Sequence, residues 1–329
     1  MNVRMWAKAL RVIPRLSSDE WNGLDIISRW LIATRSAVLV MTFFSAAIAG
    51  LLALRAGEFN LGRWLLLALG LIFAHATNNL VNDYTDHKRG VDKNNYFRTQ
   101  YGPQPLEQGL VSERQLLTYI AITGLIAVAA GIPLVIFGGG TALLLMGLGI
   151  VFVLFYTWPL KYIGLGEVAV ILIWGPLMVA GGYYVITGHW VWNVALASLP
   201  YALGPTSVLF GKHIDKLEED RQKGIHTLPV ILGEKTARYA VLAMIAIQYL
   251  AVIYLVITGY FSPFVLVVLL ALYKIPRVYQ IYRQPKPQAA PVGYPVDTWP
   301  LWFSATSFDN NRTYGFLLLI GLILNLFVH

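Results

Sequence analysis

The sequence predicts an all-α membrane protein that crosses the bilayer many times. Three observations carry that reading: the scarcity of charge, the length of the apolar blocks, and the one-sided placement of the basic residues. Of 329 residues, 57% are apolar and only 13% are charged, about half the charged share with which a soluble domain faces water. The apolar residues fall in blocks near twenty long. A helix of that length, rising about 1.5 Å per residue, crosses a hydrocarbon core of about 30 Å. Disordered, coiled-coil and soluble Rossmann or barrel architectures are excluded. The sequence has no cysteine, which removes disulfides, thiolate catalysis and Cys-ligated metal centres.

Nine transmembrane helices are expected, near 31–54, 62–82, 115–137, 140–157, 166–188, 191–211, 236–257, 262–282 and 313–328. The third and fourth are separated only by Gly138-Gly139-Gly140 and read as a tight helical hairpin; Pro276 interrupts the eighth. Residues 31–329 are expected to form one domain. Residues 1–30 are expected to form a cytoplasmic segment, in which Trp6, Leu10, Ile13 and Leu16 alternate with basic residues. That pattern suits an amphipathic helix on the membrane surface. The first apolar run begins too late for an ordinary cleavable signal peptide. The Pro-rich stretch 285–300 reads as an ordered loop between the last two spans.

Nine spans put alternate loops on opposite sides, and the basic residues test that count. Of the 25 Lys and Arg, 23 fall on one side and only Arg55 and Arg63 on the other. The positive-inside rule then puts the N-terminus in the cytoplasm and the C-terminus outside, in a plasma (inner) membrane. The net charge of +8 is therefore a topology signal and not a nucleic-acid footprint. Of the 17 Asp and Glu, only Glu58 lies on the far face and none falls mid-span, which weakens a proton- or ion-coupled transporter.

Two acidic clusters end two of the spans on the cytoplasmic side. In the run from Asn78 to Asp92, residues Asn79, Asp83 and Asp86 fall on one helical face at i, i+4 and i+7, with Asn82 and Asp86 as a neighbouring pair. Carboxylates and amides converging in this way suit Mg²⁺, a hard cation that prefers oxygen ligands shared with substrate phosphates. The second cluster runs from Lys212 to Arg221, where Asp215 and Glu219, and Lys216 and Asp220, are i, i+4 pairs. Two facing carboxylate sets interleaved with Lys and Arg make a cradle for a magnesium diphosphate. A solvated rim is the usual meaning of charge past a span; here it has to account for two Asp-rich clusters where basic residues alone satisfy topology, and on these residues alone both readings stand.

These residues resemble a known family. The run Asn79-Leu-Val-Asn82-Asp83-Tyr-Thr-Asp86-His-Lys-Arg-Gly90-Val-Asp92 resembles the first aspartate-rich motif of the UbiA superfamily of intramembrane prenyltransferases. The run from Asp220 through Gly224 and Thr227 to Gly233 resembles the tail of its second motif. The resemblance extends over most of the chain, from about residue 30 to its end at 329, and includes the nine-helix count. The spacing through Asp92, the stretch Gly109–Ser112 and the stretch Tyr156–Glu167 look most like the menaquinone branch, which prenylates 1,4-dihydroxy-2-naphthoate. One departure stands out. The family's second motif places two Asp four residues apart, whereas four before Asp220 stands Lys216, with Asp215 one residue earlier. A helix turns about 100° per residue, so either a local bulge restores Asp215 or Lys216 replaces a metal ligand with a direct phosphate contact.

The resemblance implies transfer of a polyprenyl group from its diphosphate to a small aromatic acceptor. Asp83, Asp86, Lys161 and Asp220 are the expected catalytic residues. Mg²⁺ is expected on Asn79, Asp83, Asp86, Asp92, Asp215, Glu219 and Asp220, where it would make the diphosphate a better leaving group. Lys88, Arg98, Lys161, Lys212 and Lys216 are candidates to hold its oxygens. Glu167 is expected either to hydrogen-bond the acceptor or to cap the fifth helix. Tyr84, Tyr156, Trp158 and Tyr162 lie near the mouth, where they either face the allylic cation or belong to an interfacial aromatic belt. The prenyl tail needs an apolar lateral cleft open to membrane lipid. His75 and His189 read as structural, and His213 belongs to the second cluster. Rival readings are another acceptor (4-hydroxybenzoate, homogentisate, a chlorophyllide or a lipid) or a non-catalytic subunit or transporter that keeps the fold.

Overall fold

The computed structural model describes residues 2–91, 93, 103–295 and 298–328, and among them every regular element is helical. The N-terminal segment forms α1 (Val3–Ala9), α2 (Ser18–Asn22) and α3 (Ile26–Ala33). Ser17 and Glu20 make a capping box on α2. Asp25 caps α3 and also accepts from the Asn2 amide at 2.8 Å and the Trp6 indole at 3.0 Å, which ties α1 down. The long helices follow: α4 (Leu39–Arg55), α5 (Leu61–Lys88), α6 (Glu113–Phe155) and α7 (Gly166–Thr187). The chain continues through α8 (Trp192–Asp215), short α9 (Leu217–Gln222) and α10 (Leu228–Leu232), then α11 (Glu234–Ile257), α12 (Pro263–Tyr282) and α13 (Phe303–Asn325).

Eight segments among the described residues are long and apolar enough to cross a membrane, against nine expected. The difference lies in α6, whose 43 residues run through both predicted members of the hairpin. Gly139 sits inside it at φ 62, ψ −146, outside helical geometry. A Cβ on Gly131 would lie 2.8 Å from the Met146 sulfur, although fifteen residues of straight helix span about 22 Å. The chain therefore doubles back at Gly139, a reversal that glycine adopts without a Cβ penalty. α6 is also the lipid-facing element, with Leu125 68% and Ile136 79% exposed.

Two other boundaries move. The first span starts at Ser36 and not near 31, because Arg35 takes a left-handed conformation (φ 54, ψ 50) that separates α3 from the helix after it. The last helix begins at Phe303, ten residues earlier than expected, although its first turns are polar. Its orphan amides are satisfied from outside, by Asp215 on α8.

Helix α8 packs against α7, α11 and α13 and so occupies the centre of the bundle. A Cβ on Gly211 would sit 2.8 Å from the Phe303 and Ser304 backbone. The bare glycine is what lets the start of α13 close on the end of α8, in the manner of small residues between membrane helices. Arg55 and Arg63 lie at the opposite end of the bundle from the acidic clusters. There Arg63 stacks 3.3 Å from the Phe137 ring and donates to the Ile186 carbonyl at 2.7 Å, and Arg55 lies 4.9 Å from the Tyr260 ring.

Candidate functional site

Helix α5 stays continuous to Lys88, so the expected face holds. Asn79, Asn82, Asp83 and Asp86 are all buried, with exposures of 3–8%. Amide bonds fix the helix on both sides: Asn79 Nδ2 donates to the Thr34 carbonyl at 2.8 Å, and Asn82 Nδ2 to Thr157 Oγ1 at 3.0 Å. Each neighbouring carboxylate meets a cation from another element. The Arg35 guanidinium donates to Asp83 Oδ1. Lys161 Nζ, from the turn after α6, donates to both oxygens of Asp86, at 2.7 and 2.9 Å. Taking charges out of water costs several kcal/mol per ion unless they are matched, so these pairs let the carboxylates stay charged within the fold.

Arg35 is a residue the sequence reading undervalued. It was counted only as a topology charge, yet it lies inside the predicted first span, where an ionisable side chain signals function. Its left-handed backbone costs about 1–2 kcal/mol for a residue with a Cβ. The turn aims the guanidinium at Asp83.

The second cluster is not one continuous helix. α8 ends at Lys216 (φ −121, ψ 26) and α9 starts at Leu217. Beyond the break, Lys216 Nζ donates to Asp220 Oδ1 at 2.5 Å, while Asp220 Oδ2 is buried without a hydrogen bond among the described residues. Asp215 turns the other way. Its oxygens accept from the Trp302 (3.2 and 3.0 Å), Phe303 (3.1 Å) and Ser304 (2.9 Å) amides. Those bonds cap the start of α13 and complement its dipole. Lys286 Nζ stands 3.8 Å away. Asp215, an expected metal ligand, thus has both oxygens engaged by the backbone amides that open α13. Glu219, half-buried on α9, lies near Lys286 and does not reach the cavity described next.

A cavity of about 910 Å³ opens between these helix ends and runs down between α5, α6 and α7. Arg35, Asn79, Asn82, Asp86, Tyr156, Lys161, Lys212 and Lys216 line its head. Below them the wall is apolar, with Leu71, Val135, Leu145, Met146 and Leu177 among the lining residues. Val128, Ile150 and Leu154 line it and are also exposed on the bundle surface, so the cavity reaches the lipid-facing side of α6. The Tyr156 hydroxyl is pushed well above the ordinary phenol range, by burial first and then by Glu167, Asp86 and Asp220. Half-burial, and Asp86 after it, pushes Tyr162 up to about 12. Both stay neutral phenols.

Three expected residues stand elsewhere. Lys88 pairs with Glu113 at 2.8 Å on the exposed side of α5 and does not line the cavity, which corrects its expected diphosphate contact. Glu167 is fully buried, binds His213 Nδ1 at 2.5 Å and accepts from the Leu228 amide at 3.3 Å. It braces α8 and α10 from the first turn of α7, and it does not line the cavity. Asp92 and Arg98 lie outside the described residues. Among the described residues, no three His, Asp or Glu side chains converge into a self-sufficient metal site. The donors at the head are nevertheless all oxygen, the chemistry of an ion shared with substrate phosphates.

The family model for UbiA prenyltransferases matches residues 42–308. A 1,4-dihydroxy-2-naphthoate octaprenyltransferase of Bacillus subtilis is 26% identical, over 89% of this chain and 92% of that protein. A UbiA prenyltransferase domain-containing protein 1 homolog of Drosophila melanogaster is 28% identical, over 78% and 71%. Among solved structures, a UbiA homolog from Aeropyrum pernix superimposes with a TM-score of 0.65 at 22% identity, covering 87% of this chain and 98% of that one. A homolog from Archaeoglobus fulgidus bound to GPP and Mg²⁺ superimposes at 0.56 and 17% identity, covering 88% and 99%. These structural likenesses establish the shared fold.

Proposed function

Because the chain belongs to the UbiA prenyltransferase family, we propose that it transfers a polyprenyl group, with Mg²⁺, from polyprenyl diphosphate to an aromatic acceptor. The favoured acceptor is 1,4-dihydroxy-2-naphthoate, for menaquinone biosynthesis. The observation that carries this reading is the set of buried carboxylate–cation pairs of which Arg35, Asp86, Lys161 and Lys216 line the head of a long apolar cavity, with Asp83 and Asp220 directly behind Arg35 and Lys216. The acceptor assignment draws on the Bacillus subtilis relative, which matches nearly end to end, and on the motif spacing. The Archaeoglobus fulgidus homolog, bound to GPP and Mg²⁺, supports the diphosphate and the ion.

Asn79, Asp83, Asp86 and Asp220 are the residues that would hold Mg²⁺. When bound, the ion supplies positive charge to the diphosphate and improves it as a leaving group. Arg35, Lys161, Lys212 and Lys216 bind the diphosphate oxygens and stabilise the charge that grows as the allylic C–O bond breaks. The apolar wall keeps water from the allylic cation, and Tyr156 presents a neutral aromatic face beside it. As diphosphate leaves, the acceptor's ring carbon forms the new C–C bond with the allylic carbon, and with 1,4-dihydroxy-2-naphthoate the carboxylate departs as CO2 in exchange, giving a demethylmenaquinol. The basic asymmetry supports a reading in which this chemistry lies at the cytoplasmic side of a plasma (inner) membrane, with the N-terminus inside.

The test is purified protein with labelled prenyl diphosphate, Mg²⁺ and a panel of acceptors. A labelled demethylmenaquinol, recovered as the demethylmenaquinone after oxidation by air, is the expected product. Product only from 4-hydroxybenzoate, homogentisate or another acceptor would overturn the branch assignment, and no product from any acceptor would overturn the activity.

A further inference from the structure

We propose that His75 and Trp174 form the subsite that binds the ring hydroxyl of the aromatic acceptor, an inference that rests on the function proposed above. His75 stands one helical turn before Asn79 on the same face of α5, about 6 Å deeper in the bundle. A diphosphate held at Asn79 and Asp86 directs its first carbons to that depth. His75 lines the cavity there. The other ionisable residues on the described cavity wall belong to the N-terminal segment, the α3–α4 turn, the turn after α6 or the two helix ends at the head. His75 alone lies within the apolar stretch, where an ionisable group is costly unless it serves a purpose.

The imidazole is fixed from two sides. Its Nδ1 shares a 2.7 Å hydrogen bond with Thr42 Oγ1 on α4, and its ring meets Trp174 edge to face at 5.3 Å. Trp174 lies in the π-helical stretch Ile173–Ala180 of α7, a distortion frequent at functional sites. Its carbonyl accepts from Ser45 Oγ at 2.9 Å, so the backbone behind the indole is also pinned to α4. With Nδ1 engaged, Nε2 makes no hydrogen bond among the described residues. Trp174 also lines the cavity, and its indole N–H is buried without an acceptor among them.

His75 therefore brings a ring nitrogen, and Trp174 a donor still lacking an acceptor, to an otherwise apolar stretch of the cavity. Either tautomer of His75 suits a hydroxyl, which both gives and takes a hydrogen bond. The isoprenoid tail has no polar atom to use them. A flat ring bearing a hydroxyl does, and it lies against Trp174 with its reacting carbon near the allylic carbon. Because such a site leaves buried polar groups unmatched when the hydroxyl is missing, it selects strongly for it.

The experiment measures the KM of each substrate, with Mg²⁺, for the full chain and for His75→Phe, His75→Gln and Trp174→Phe. Each protein is offered the acceptor that the panel identifies and that acceptor's methyl ether. His75→Phe is expected to lower kcat/KM for the acceptor more than about tenfold while the prenyl diphosphate KM holds. It is also expected to erase the preference of the native chain for the free hydroxyl over the ether. His75→Gln recovers part of the loss, and Trp174→Phe, which removes the N–H donor and one ring of the indole but keeps an aromatic face, costs less. If His75→Phe fails to fold, Trp174→Phe and the ether preference decide. An unchanged acceptor KM and ether preference, or parallel rises in both KM values, would overturn the subsite and leave the proposed function standing. A native chain that prenylates no aromatic acceptor would overturn both.

Discussion

The two acidic clusters began as equivalent strings of Asp, Glu and Lys at the ends of spans, and the fold treats them differently. At the end of α5 the helix continues through the motif, so Asn79, Asp83 and Asp86 share a face as i, i+4, i+7 spacing requires. At the end of α8 the helix stops at Lys216 and restarts, and the same arithmetic fails. Asp215 goes to the backbone of α13 while Lys216 and Asp220 pair with each other across the break. Spacing reports side-chain direction only as far as the helix persists.

The comparison breaks most sharply at the first cluster. Asp83→Ala takes from buried Arg35 the carboxylate it faces. Turnover should fall at least about 100-fold, and the protein should lose about 3–5 kcal/mol of stability, read from product formation and from unfolding. A variant that stays near native turnover would remove the α5 cluster from the mechanism. At the second cluster, Lys216→Met should raise the prenyl diphosphate KM about tenfold, the usual weight of one charge-assisted contact. The acceptor KM should not move.

Asp215→Asn sharpens the comparison. Asn keeps one acceptor oxygen where the carboxylate has two, so unfolding should show a loss of roughly 1–3 kcal/mol. The Mg²⁺ concentration giving half-maximal turnover should stay put. A metal ligand would show the reverse, a large Mg²⁺ shift with little loss of stability. The smallest effect belongs to Lys88→Ala. Its pair with Glu113 is half exposed and outside the cavity, and both KM values should change less than about twofold.

The same distinction explains what was legible in the sequence. The class, most of the spans and the α5 face follow from apolar block length and helical period, both of which are local. The Asp215 cap joins residues 87–89 positions apart, and no local pattern reports it. It satisfies the first amides of the polar stretch after Trp302, where the last span starts earlier than its apolar run. Arg35 was within reach: an arginine inside a predicted span is itself a signal. Its partner Asp83 lies 48 residues away, and only the turn at φ 54 brings the two together. Lys88 misled because it neighbours Asp86 in sequence, whereas two residues along a helix point about 200° apart.

The central claim is that the ends of α5 and α8 jointly grip a magnesium diphosphate, with Asp215 outside that grip. The most direct measurement is Mg²⁺-dependent binding of a non-hydrolysable prenyl thiodiphosphate to the native chain, Asp86→Asn, Asp220→Asn and Asp215→Asn. The account predicts Mg²⁺-dependent binding that Asp86→Asn and Asp220→Asn weaken at least about tenfold and that Asp215→Asn preserves. Binding indifferent to Mg²⁺, or lost with Asp215→Asn as fully as with Asp86→Asn, would contradict it.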